Sequence, residues 1–111
     1  MQIELVPLDL PNLRRLAASE PVKLRARDGA LPPSHVAVRS LSQLDAGVSA
    51  GWCVPFSIVA KESGEILGGC RFKGEPIQGR VEISYGVARS ARCRGVATLA
   101  VAQLLELAAT S

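Results

Sequence analysis

The sequence predicts an α/β chain of the α+β type, in which a mixed, mainly antiparallel sheet carries helices near its amino end and one long helix at its carboxy end. Three observations carry that expectation. Val81, Ile83, Tyr85 and Val87 alternate with Glu82, Ser84 and Gly86, which is the period of a half-buried strand. Upstream, two β-like segments within Cys53 to Phe72 flank Lys61-Glu62-Ser63-Gly64-Glu65, a turn of the kind that joins hairpin strands. Downstream, Val96 to Ala109 is a long helical run that is apolar nearly all round, interrupted by Thr98, Gln103 and Glu106.

The remaining elements follow in order. Ile3 to Val6 is β-like and Pro7 ends it; Asp9 is a plausible N-cap for a helix over Leu10 to Ala18, with Pro11 tolerated in the first turn and Leu13, Leu16 and Ala17 as its apolar face. Ser19 to Ser34 has no sustained period and reads as a loop suited to lining an acceptor site. Ser34 is expected to cap a second helix, because Ala37, Leu41, Leu44 and Val48 recur at helical spacing. Cys53 to Ala60 and Ile66 to Phe72 are the hairpin strands, with Gly68 and Gly69 marking a bulge or a close backbone approach. Lys73 to Gly79 is a loop, and the strand ending at Val87 completes a meander. Trp52 and Phe56 are expected to pack or to border the acceptor pocket, Tyr85 to join the core, and His35 to sit in the first turn of its helix.

Composition narrows the function. At 111 residues and 48% apolar content the chain is expected to hold a single domain over residues 1–111. The net charge of +3 is scattered, with no basic tail, stacking platform or recognition helix, so neither nucleic acid nor a membrane is an expected partner. No apolar run reaches the roughly 18 residues that read as a membrane span, the amino terminus lacks a signal-peptide pattern, and a cytoplasmic location is the expectation. Cys53, Cys70 and Cys93 without CxxC spacing, together with the lone His35, support neither a disulfide framework nor a metal site.

Chemistry concentrates between Val81 and Thr98. Arg89, Arg92 and Arg94 surround Gly95 where the last helix must begin, and a helix start presents unpaired N–H groups and the positive end of its dipole, a place suited to an anion. Arg92-Cys93-Arg94-Gly95-Val96-Ala97, after the strand Val-Glu-Ile-Ser-Tyr-Gly-Val, resembles motif A of the GNAT superfamily of acetyl-CoA-dependent N-acetyltransferases, whose pattern is Q/R-x-x-G-x-G/A between a strand and a helix. Pro55 to Gly69 is similar to the family's second and third strands. The sequence departs from the family pattern at Arg89, often proline there, and at Cys93, often glycine.

The resemblance implies that Arg92, Cys93, Arg94, Gly95, Val96, Ala97 and Thr98 hold the pyrophosphate of acetyl-CoA, and that Val87 and Arg89 pair with its pantetheine arm. An N–H near Val87 would polarise the thioester carbonyl as an oxyanion hole does. Glu82, on the strand face opposite Val81, Ile83 and Tyr85, is the candidate general base toward an amine, from a small molecule or a protein N-terminus. The bland alternatives are a solvated strand carboxylate for Glu82, surface charges beside a turn for Arg92 and Arg94, and an incidental thiol for Cys93. The family usually adds strands and a helix after motif A, so the domain is expected to be incomplete at its carboxy end. The competing expectation is a non-catalytic truncated module that dimerises, or binds another chain, through the apolar surface of its last helix.

Overall fold

Four segments rich in β-branched and aromatic residues pair into one antiparallel sheet of order β1-β2-β3-β4. In the computed structural model, which describes residues 1–92 and 94–110, these are β1 (Ile3–Pro7), β2 (Phe56–Ala60), β3 (Ile66–Phe72) and β4 (Ile83–Val87). The expected meander is β2-β3-β4, and β1 adds to its outer side through the register Leu5 to Ile58. Parallel pairing among the described residues is confined to an isolated bridge between Ala26 and Ile66. The register shifts between Ile58 and Val59, where β3 accommodates an extra residue, so the doublet Gly68-Gly69 does accompany a bulge.

Helices cover the two faces of the sheet. α1 (Leu10–Ala17) begins at Asp9, whose Oδ1 accepts the Asn12 N–H at 2.8 Å, so the predicted cap holds. α2 (Ser34–Asp45) differs from expectation at its start: Pro33 is the N-cap, without a side-chain cap bond, and Ser34 is already inside the helix. Proline's fixed φ and missing N–H suit the chain's entry into that first turn. α1 and α2 pack on each other, with Leu13, Ala37, Cys53 and Val54 buried between them and the chain leading into β2.

α3 (Val96–Ala109) lies on the opposite face and buries Val96, Ala100 and Leu104, one stripe at i, i+4 and i+8, against Ile3, Ile58, Leu67, Cys70, Phe72 and Val87. Burying a Val, Leu, Ile or Phe side chain fully in this way is worth about 1.5–3 kcal/mol. Gln103 donates from Nε2 to the Ile3 carbonyl at 3.2 Å and fastens the helix to β1. The rest of α3 is less covered, with Leu99 and Leu105 at 38% and 50% exposure. Trp52, in a single turn of 3₁₀ helix (Ala50–Trp52), meets Phe72 edge to face with ring centroids 4.9 Å apart, and Phe56 packs in the same cluster; both are packing residues.

Candidate functional site

The site grows from the last strand. Lys73 N–H donates to the Glu82 carbonyl and Ala88 N–H to the Leu67 carbonyl, which pins the β3–β4 ladder. Antiparallel strands alternate paired and unpaired backbone positions, so Ile83, Tyr85 and Val87 turn their N–H and C=O groups away from β3, toward the free edge of β4. Directly after Val87 the chain makes a short 3₁₀ turn (Arg89–Ala91) and then enters α3 through Gly95, whose φ of 73° is left-handed. A Cβ on Gly95 would meet nothing within 4 Å, so the space over the helix start is open. The first N–H groups of α3 have no carbonyl a turn earlier to bond, which makes the place electropositive.

Three arginines precede that helix start along the chain, and Arg89, Arg92 and Arg94 are all at the surface. Among the described residues no carboxylate pairs with any of the three; the ion pair present is Arg27 to Glu65 at 2.8 Å. Arg92 is held: its Nε donates to the Val87 carbonyl at 3.2 Å, which ties the loop back to the end of the strand. Its predicted role as a free anion ligand is therefore reduced to what its terminal nitrogens can offer. Val96 sends its side chain into the core, Ala97 packs half-buried against it, and Thr98 is exposed on the first turn. Cys93 lies outside the described residues.

On the sheet face under α2, a cavity of about 330 Å³ opens between the Gly29–Val36 stretch and strands β3 and β4. Leu31, Pro32, Pro33 and Val36 form one wall; Gly69, Arg71, Ser84, Tyr85 and Gly86 form the other. The loop between α1 and α2 that lines this cavity is held by the Ile66 N–H to the Arg25 carbonyl, by the Arg27 N–H to the Ile66 carbonyl, and by Arg27 Nη1 to the Ser90 carbonyl at 3.3 Å. Glu82 shares the strand face of Ser84 and Gly86 but lies just ahead of β4, exposed, and does not itself line the cavity.

Tyr85 corrects an expectation. It is 59% exposed rather than core, because β4 is the edge strand and the helix on that face covers Val87 and Ile83 but not the stretch between them. Arg71 is the residue that sequence reasoning missed. It stands on the interior strand β3 at 4% exposure, and its Nη1 reaches Ser40 Oγ at 3.2 Å, Gln43 Oε1 at 3.0 Å and the Cys53 carbonyl at 3.1 Å. Burial first, and then the positive charge of Arg39, lower its pKa. The available signal was an arginine between Cys70 and Phe72 in a strand too apolar to face water.

Burial raises the thiol pKa of Cys53, against the opposing charge of Arg71, and pushes that of Cys70 up to about 11, so both stay protonated and poorly nucleophilic near neutrality. Among the described residues, no group of His, Cys, Asp and Glu could hold a metal ion and no helix is long and apolar enough to cross a membrane. No curated protein and no solved structure matches the chain. The acetyltransferase (GNAT) family does match, over residues 27–111, a span that runs from the cavity's loop through the meander to the last helix; the chain belongs to the GNAT acetyltransferase family.

Proposed function

We propose that this chain is an N-acetyltransferase that moves the acetyl group of acetyl-CoA directly to an amine, in the cytoplasm. The observation that carries the reading is the junction at Val87, where a strand edge with outward amides runs straight into an open, arginine-flanked helix start. The residues fit the coenzyme: Gly95 leaves room above the first turn, and the uncompensated charges of Arg89 and Arg94 suit a pyrophosphate. Acetyl-CoA supplies an activated thioester. Backbone groups of Val87 and Arg89 would hold its pantetheine arm, and the N–H groups of Arg92 and of Arg94 to Thr98 its diphosphate.

The protein's own part in the chemistry is to orient and to move a proton. An edge N–H at Val87 donates to the carbonyl oxygen on which negative charge develops. Glu82 takes the proton that the amine nitrogen loses as its bond to the acetyl carbon forms, and the sulfur departs as thiolate. The acceptor amine, on a small molecule or at a protein N-terminus, would enter through the cavity lined by Ser84, Tyr85 and Gly86.

Thermal unfolding with millimolar acetyl-CoA tests this. A ligand present at a hundredfold its dissociation constant stabilises by about 2.7 kcal/mol, so the midpoint should rise, and the rise should shrink in Arg94→Glu. An unchanged midpoint would remove the enzyme reading. A second reading, a non-catalytic module pairing with a second copy of itself, is favoured by the exposed Leu99 and Leu105 of α3. It predicts a dimer by light scattering that is indifferent to acetyl-CoA.

A further inference from the structure

Arg71 sits in a place where a positive charge is hard to explain by structure alone. Removing a guanidinium from water costs several kcal/mol unless an opposite charge compensates, yet its bonded partners are a hydroxyl, an amide oxygen and a main-chain carbonyl, all neutral. Among the described residues no carboxylate lies within ion-pair distance of it. Arg39 adds further positive charge nearby.

The geometry of its bonds is more specific still. All three acceptors share one nitrogen, Nη1, so Nε and Nη2 bond to nothing among the described residues. No fully enclosed side-chain nitrogen or oxygen among the described residues lacks a partner. These two nitrogens are therefore not fully enclosed, and Arg71 is among the residues that line the cavity beside β4. The Nε and Nη2 hydrogens of a guanidinium run parallel, spaced to meet both oxygens of one carboxylate. Walls of Leu31, Pro32, Pro33 and Val36 lower the local dielectric and strengthen such a pair.

We infer that the acceptor is a small amine that also carries a carboxylate, gripped in the cavity by the free Nε–Nη2 edge of Arg71. The cavity's volume of about 330 Å³ is near the bottom of the range for small-molecule sites, roughly 300–1,000 Å³, which suits a free amino acid better than a polypeptide end. The word acceptor rests on the acetyltransferase reading; the carboxylate site itself does not.

The test uses the whole chain without coenzyme, and reads thermal unfolding against a panel of free α-amino acids and β-alanine, each beside its own carboxamide, with inorganic phosphate as a separate arm. At least one acid should raise the midpoint and bind about tenfold or more tightly than its amide, the size expected for hydrogen bonds to a charged group. Arg71→Lys, which keeps the charge and loses the fork, should erase the preference while keeping the protection by acetyl-CoA. Equal binding of acid and amide in the wild type, phosphate outcompeting every acid, no binding by any acid, or an unaltered preference in Arg71→Lys would each overturn the proposal. Should Arg71→Lys fail to fold, the acid-to-amide ratio of the wild type decides alone. Acid binding without any protection by acetyl-CoA would uphold the carboxylate site and sink the transferase reading instead.

Discussion

Glu82 stands two residues ahead of Ser84 on one strand face, close to the cavity and outside its wall. If Glu82 is the base of the proposed reaction, it would act on the amine through its own flexible side chain or through one water. Glu82→Gln should cut kcat by about 100-fold, within the range for loss of a general base, and leave the KM for acetyl-CoA unchanged; an unaltered pH–rate profile would remove it from the mechanism. Gly95 would contribute differently, through its conformation, since its φ of 73° is left-handed. Gly95→Ala places a Cβ where no atom interferes, so its effect is backbone strain in the left-handed region, about 1–2 kcal/mol in stability by denaturant unfolding. The placement of both residues could be read from the chain, because strand alternation and a glycine before a helical run are local signals. Arg71 could not be read so easily: its partners Ser40 and Gln43 are 31 and 28 positions away, and only folding reveals that one side of its guanidinium is spent on them.

At the scale of elements, β3 and β4 approach more closely than ordinary side chains allow. A Cβ on Gly68 would collide with the Gly86 carbonyl oxygen and come within 2.9 Å of Val87 Cα, both rigid main chain. Gly68→Ala should therefore destabilise the chain by about 1–3 kcal/mol, as overpacking does, and should also weaken the protection by acetyl-CoA, because β4 must move; unfolding with and without the coenzyme checks both. The glycine doublet announced this contact, and the periodicity of Val96 to Ala109 announced α3. Boundaries were less legible. Proline rather than Ser34 caps α2, and β2 starts at Phe56 rather than Cys53 because the N–H groups of Cys53 and Val54 still bond the Ala50 carbonyl of the preceding 3₁₀ turn. Tyr85 followed the apolar alternation yet is exposed, since period reports which face a residue shares and not whether anything covers that face.

The molecule as a whole is a sheet with α1 and α2 on one side and α3 on the other, and the Cys70 thiol is enclosed between the sheet and α3 at 2% exposure. Burial moves its pKa from 9.0 to about 11, so the native state holds this proton more firmly than the unfolded chain does. The contribution to stability is complete below about pH 9 and is lost as pH rises toward about 11. Denaturant unfolding across that interval should show wild type losing stability more steeply than Cys70→Ala, by up to about 1.4 kcal/mol per pH unit. β4 has a further consequence. Its Ser84 and Gly86 border the cavity while its outward amides serve the margin beside α3, so a single span of five residues would carry donor and acceptor alike. Breathing of the helices or of the outer strands would then carry both reactants together and leave the gap between them nearly constant, the gap across which the acetyl carbon travels.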